Sequence, residues 1–333
     1  MKRRFALGLL VSAVLLVLLF VKVEPAAIAN AFAEAAPLGV AAAVLLHLLI
    51  LSMKAARWGV VLGAVPHPPP EPGPARRWLT FDALFFGYFG NYVLPAKLGE
   101  IGRAVLYGKR SGVPVSSVLA TIVVERLLDA VMLISIFYLS ILFLPLPPDL
   151  PDWVPLSARL VGSCALIGLA GVWLGMRWLP DTLQWRGPLP GLVHKVFGLL
   201  LAFREGLSVL REPRRAAKAT AWTLSIWLLE CVAFWVLLHA FGLDTLMTGA
   251  VAQVTASSFA IAAPSAPGGL GIHQWVTVLV LAPFGVPEST ATAASLVVTF
   301  SVILWVVPLG LLGLWRQGTS PGELRADVDA AVA

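Results

Sequence analysis

Apolar residues in this chain run on for whole membrane widths, and that constrains its fold more than anything else in the sequence. A helix rises about 1.5 Å per residue, so a hydrocarbon core of about 30 Å needs about 20 apolar residues to cross. Stretches at about 5–23, 38–63, 116–144, 156–178, 219–241 and 290–315 meet that requirement. Hydrophobic residues make up 59% of the chain and charged ones only 13%, with a mean hydropathy of +0.87. Soluble domains carry about 25% charged residues, so too few charges remain here to solvate a globular surface. In hydrocarbon every backbone polar group must find an internal partner, which long apolar runs achieve as helices. The expected fold is all-α, a polytopic membrane bundle forming a single domain over 1–318, followed by a disordered cytoplasmic tail over 319–333.

The first run follows Lys2, Arg3 and Arg4 and leads into small residues around Asn30. A cleaved signal peptide shares that outline, but its apolar core is about 7–15 residues, and this one is closer to a full span. The expectation is a retained anchor. Two more apolar regions, about 79–110 and 246–284, are each broken near the middle. The first break is Pro95-Ala96-Lys97-Leu98-Gly99 and the second runs from Pro264 through Pro267, Gly268, Gly269 and Leu270 to Gly271. Each arm covers part of a bilayer, which fits two re-entrant helical hairpins beside about six full spans; the alternative is eight or more spans. With the N-terminus inside, Arg76, Arg77, Lys109, Arg110, Arg177, Arg186, Arg214, Arg215, Lys218 and Arg316 all fall on the cytoplasmic side. Glu24, Glu34, Asp149, Asp152, Asp244 and Glu288 fall outside. That is the charge asymmetry of a multi-pass protein of the cytoplasmic membrane, with both termini cytoplasmic.

The breaks share a pattern, Pro95-x-x-Leu98-Gly99 and Pro267-x-x-Leu270-Gly271. Each half, about 1–145 and 150–318, reads span, span, hairpin, span, the first starting inside and the second outside. Inverted repeats with interrupted helices at the midplane are typical of transporters. Irregular backbone at that depth must be buried in protein or line a cavity, and the arm after each tip turns free N–H groups toward the midplane. Pro95, Lys97, Gly99, Glu100 and Arg103 at the first tip, with Pro267, Gly268, Gly269, Gly271 and His273 at the second, are candidate binders of an anionic head group. The alternative is that these glycines merely permit tight packing between helices.

Charges inside the spans form a second set. Glu125, Arg126 and Asp129 lie about 10–15 Å into the 116–144 run by helical rise, where each costs roughly 2.5–3.5 kcal/mol or more unless it faces a partner or a cavity. Arg103 or Lys97 is the expected partner for Glu125, and Arg126 can reach Asp129. Glu230 has no basic neighbour within a turn, so it is either protonated or paired across helices. His47 and His239 lie within spans, but no HExxH, CxxC, P-loop or G-x-S-x-G is present. Neither a metal nor another cofactor is expected, and no catalytic residue stands out. The basic residues sit at helix ends, so the net charge of +6 does not suggest nucleic acid. Apolar residues between Leu192 and Leu210 recur at helical spacing, as in an interfacial helix or a packed linker.

The stretches Asn91–Arg103, Val124–Asp129 and Pro267–Gln274 resemble the flippase-like transmembrane family that includes the membrane region of lysylphosphatidylglycerol synthases. The resemblance runs in order over about residues 5–315. It implies that the chain moves an anionic phospholipid or a polyprenyl-linked lipid between leaflets. It also singles out Pro95, Gly99, Glu100, Arg103, Glu125, Arg126, Asp129 and Pro267–Gly271. The family's soluble synthase domain has no counterpart here, which argues against aminoacyl transfer, and Gln274 stands where the family favours an acidic residue. The rival expectation is a non-catalytic membrane subunit that anchors or regulates a lipid-modifying or glycosyl-transfer enzyme, its membrane or cytoplasmic partner.

Overall fold

The computed structural model describes residues 2–65, 74–93, 98–147, 212–244, 247–262 and 267–320, with isolated positions at 156–167 and 322–323. Most of the expected 156–178 span, the 192–210 segment and all but a few residues of the 319–333 tail lie outside them. The described elements are helices: α1 (Lys2–Lys22), α2 (Pro25–Glu34), α3 (Pro37–Leu62), α4 (Pro74–Val93), α5 (Gly99–Ser111), α6 (Val115–Phe143), α7 (Pro213–Ala240), α8 (Met247–Ala262), α9 (Ile272–Leu281) and α10 (Glu288–Arg316). Proline opens α2, α3, α4 and α7, where its fixed φ and missing N–H cost a helix nothing.

Four of these helices, α3, α6, α7 and α10, are long and apolar enough to cross a membrane. Ser12–Lys22 of α1 and Pro25–Glu34 pass the same test together, as a pair bent by 79°. Helices α6 and α10 have 29 residues each, or about 43 Å. The outward surface is apolar, with Leu38, Leu45, Phe143, Leu279, Phe300 and Trp315 all exposed, as for helices solvated by lipid chains.

Each broken region folds as an antiparallel pair. In α4/α5, Gly87 faces Arg103 and Gly99 faces Asn91, so the two helices run antiparallel. A Cβ on Gly99 would lie 2.1 Å from the Gly87 carbonyl oxygen, so only glycine permits this crossing. In α8/α9, Gln253 meets Thr277 and Ile261 lies against Gly269. Gly268, Gly269 and Gly271 all have positive φ, the region that disfavours a side chain.

The two hairpins are held at opposite ends of α10. At its C-terminal end Arg316 donates to Asp82 of α4 at 2.7 Å, and Arg110 of α5 donates to the Gln317 carbonyl. The second hairpin packs on the N-terminal half of α10, where Gln274 of α9 donates to Thr299 at 3.1 Å, and Glu288 at that end pairs with Lys22 of α1. The tips meet in between, where a Cβ on Gly268 would lie 2.2 Å from the Tyr92 ring. Helix α1 lies along α9 from tip to base: Trp275 donates to the Leu15 carbonyl at 2.6 Å, and the Ser12 backbone lies against Gly271.

Packing among the central helices repeats itself. Helix α3 lies along α7, and for each contact of α3, α4, α5 or α6 there is a counterpart with α7, α8, α9 or α10 in its place. Thus α4 with α10 answers α8 with α6, α5 with α6 answers α9 with α10, and α3 with α4 answers α7 with α8.

Candidate functional site

Helix α3 carries His47, Lys54 and Arg57. Positions 47 and 54 are two turns apart and 54 and 57 one turn apart, so all three project toward the bundle interior. Opposite them, α6 presents Glu125 and Asp129 four residues apart, and α7 presents Thr223, Trp227 and Glu230 with the same helical spacing. Spacing of this kind stacks side chains on one helix face. Two linked clusters result.

The first centres on Arg57, whose side chain is 1% exposed. Its guanidinium takes both oxygens of Asp129, the Oδ2 contact at 3.2 Å, and also donates to Glu125 Oε1 at 3.2 Å and Thr223 Oγ1 at 3.3 Å. Arg103 reaches across from α5 to the other oxygen of Glu125 and stacks over the Trp58 ring at 4.1 Å. Trp227 Nε1 donates to Asp129 Oδ1 at 3.0 Å. At the rim, Arg126 lies 3.6 Å from Glu100 and 3.8 Å from Asp129. Two arginines thus balance two carboxylates in the interior, and the Arg57 and Arg103 Nε atoms are buried without an acceptor.

The second cluster lines a cavity of about 200 Å³ between α3, α4, α7, α8, α9 and α10. Lys54 Nζ donates to Glu230 Oε1 at 2.9 Å and lies 5.4 Å over the Trp227 ring. Glu230 is therefore paired across helices, one of the two states its sequence environment allowed. His47 faces the same carboxylate, Nε2 to Oε2, at 3.9 Å. Its Nδ1 lies 2.9 Å from the Ala43 carbonyl, an oxygen that can only accept, so Nδ1 carries the hydrogen. A neutral His47 then turns a bare Nε2 lone pair toward Glu230. On the other wall Gln253 donates to Ser257 at 2.8 Å and to Thr277 at 2.9 Å, and lies 3.4 Å from His273 Nε2.

The structure thus distributes the sequence candidates. Arg103, Glu125, Asp129 and, at the edge, Arg126 and Glu100 come together in the first cluster. Glu230 and His273 line the cavity, on facing walls. Gly99 lies within the crossing of the first hairpin, and Gly268, Gly269 and Gly271 form the second tip, with the backbone of Pro267 beside them. The Gly271 N–H is already engaged, donating to Gln274 Oε1 at 2.7 Å, and Gln274 in turn donates to Thr299 at 3.1 Å. Pro95 and Lys97 lie outside the described residues. Sequence reasoning passed over Lys54 and Arg57, the cations that complete both clusters. Their signal was present, since two basic residues one turn apart inside an apolar run demand partners. Among the described residues no three His, Cys, Asp or Glu side chains converge as metal ligands.

Residues 5–310 match the family described as the lysylphosphatidylglycerol synthase TM region. The chain belongs to this family. It is 26% identical to a UPF0104 membrane protein of Methanothermobacter thermautotrophicus, over 98% of this chain and 99% of the relative. It is 23% identical to the glycosyltransferase AglD of Haloferax volcanii, over 92% of this chain but 53% of that protein. A second UPF0104 protein of M. thermautotrophicus is 23% identical over 94% of this chain and 92% of its own length. No solved structure matches the chain at a significant level.

Proposed function

We propose that this chain is a lipid transporter that moves an anionic phospholipid or a polyprenyl-linked lipid between the leaflets of the cytoplasmic membrane. Both chain ends would face the cytoplasm, and the chain would act without catalysing a reaction. The observation that carries this reading is the meeting of two broken-helix hairpins, held at opposite ends of α10, beside a cavity lined by Lys54, Glu230 and two histidines. Polar groups of this kind are expensive in a membrane interior and gather where a substrate or ion passes. The contact pattern that exchanges α3–α6 for α7–α10 supports an inverted repeat, with the hairpins re-entrant and the cavity near the midplane. Membership in the lysylphosphatidylglycerol synthase membrane-region family supports a lipid as the cargo.

The test is reconstitution into vesicles that hold fluorescent phosphatidylglycerol, with an impermeant quencher added outside. Transport predicts protein-dependent loss of the inner-leaflet signal, abolished by a Lys54 variant that still folds. Equal quenching in protein-free and protein-containing vesicles sinks the reading. A second reading has one observation in its favour, the match to about half of a glycosyltransferase. On that reading the chain is a membrane subunit for a lipid-modifying or glycosyl-transfer enzyme, and gentle extraction would bring down a stable partner.

A further inference from the structure

Among the described residues lining the cavity, Lys54 is the cation positioned to meet an anionic head group, and its ammonium is already taken by Glu230. Arg57 and Arg103 are committed to Asp129 and Glu125. An anion entering the cavity would therefore meet a neutral ion pair and, behind it, the Glu230 carboxylate that repels it. Protonating Glu230 changes this: the carboxyl becomes neutral, Lys54 becomes an uncompensated cation, and the buried charge cost is recovered by taking a new anion. Several polar groups surround the pair. His47 of α3 lies beside the pair, its Nε2 3.9 Å from Glu230 Oε2. Tyr88 of α4 and His273 of α9 line the same cavity. Asp129 of α6 lies within electrostatic reach of both members of the pair, as Cys231 of α7 does of Glu230.

We propose that Glu230 and Lys54 form an exchange pair: a phosphate-bearing head group binds Lys54 only as a proton binds Glu230, so that anion and proton occupy the cavity together. The inference rests on the transport reading and names its substrate chemistry, a phosphate diester with one negative charge, and its coupling ion. The charge balances, since one negative group and one proton enter, and a carboxylate–ammonium pair becomes a carboxylic acid and a phosphate–ammonium pair. The volume, about 200 Å³, is far above the ~10–15 Å³ that admits one water.

The experiment is calorimetric titration of the full chain in mild detergent with dihexanoyl-phosphatidylglycerol and, separately, with inorganic phosphate. It is run in buffers of different ionisation enthalpy, which report protons taken up on binding. The wild type takes up about one proton per ligand at pH 7.5, and its affinity rises about tenfold per pH unit of acidification, because only the protonated fraction binds. Glu230→Gln, a permanent mimic of the protonated state, takes up none, binds at least about tenfold tighter at pH 7.5, and loses the pH dependence. Lys54→Met strands a buried carboxylate, so the neutral double variant Lys54→Met/Glu230→Gln is the control, and it loses binding at least about tenfold relative to Glu230→Gln. Binding of the lipid alone assigns the site to a head group; equal binding of inorganic phosphate assigns it to the free ion, and both keep the exchange. Persisting proton uptake in Glu230→Gln, unchanged binding in the double variant, or no binding of either probe by the wild type overturns it. Wild-type lipid movement in vesicles with no proton uptake would sink the exchange while leaving the transport reading intact.

Discussion

Arg57 is the residue whose removal the structure prices most directly. Substituting Met keeps the length and removes the guanidinium, and with it the paired contact to Asp129 and the bonds to Glu125 and Thr223. Glu125 keeps Arg103, and Asp129 keeps the Trp227 N–H at 3.0 Å and Arg126 at 3.8 Å. One buried negative charge is left without its main partner, a change worth about 3–5 kcal/mol. The surviving contacts place Arg57→Met near the low end, about 3 kcal/mol. Asp129→Leu alone leaves Arg57 with Glu125 and Thr223 but without its paired carboxylate, and costs about as much. Arg57→Met/Asp129→Leu removes both charges and leaves chiefly the Trp227 N–H unpaired, a loss of about 1–2 kcal/mol. The double variant is then more stable than either single one, with a coupling of at least about 3 kcal/mol. Equilibrium unfolding in mixed SDS and mild-detergent micelles, followed by tryptophan fluorescence, measures all four corners. A single variant within about 1 kcal/mol of wild type, or a double equal to the sum of the singles, would refute the assignment of this network as a tightly paired buried set. Vesicle transport by the double variant adds a second reading: restored stability without transport gives the network a part in the cycle beyond holding helices together.

Gly99→Ala places a methyl 2.1 Å from the Gly87 oxygen and forces α4 and α5 apart, for about 1–3 kcal/mol or more. Gly112→Ala, with open space around it but a positive φ, costs about 1–2 kcal/mol, and the same micelle unfolding ranks the two. Tyr92→Cys/Gly268→Cys, after replacement of Cys164 and Cys231, is expected to cross-link with a short bifunctional thiol reagent in native membranes; absence of cross-linking under conditions that label both cysteines would separate the two tips. Asp82→Ala leaves Arg316 and Gln317 without the carboxylate that accepts from them at 2.7 and 2.8 Å. A charged hydrogen bond of this kind contributes about 1.5–3 kcal/mol, and the loss is expected as faster protease cleavage near residue 317.

Much of this architecture can be read from local pattern. Lengths and hydropathy place α3, α6, α7 and α10, and the proline and glycine breaks place both hairpin turns, because these features depend on neighbours along the chain. The partners of the buried charges depend on which helices lie side by side. Nothing within a turn of Glu230 announces Lys54, some 176 positions away, and Asp129 meets Arg57 only because α3 and α6 pack together. The overlooked signal was in α3 itself, where Lys54 and Arg57 interrupt an otherwise apolar run. The tip glycines illustrate a further limit: sequence gives their freedom to turn, but only the fold shows Gly268 against Tyr92 and Gly99 against the Gly87 backbone.

The matching of interior charges bears on how the protein responds to the voltage across its membrane. A single unpaired charge carried across 100 mV gains or loses about 2.3 kcal/mol, enough to bias a conformational change strongly. With Lys54 set against Glu230, and Arg57 and Arg103 against Asp129 and Glu125, these helices carry no net charge from that set when they shift as a unit. On the transport reading, this set of charges would add nothing to the voltage dependence of an empty protein's reorientation.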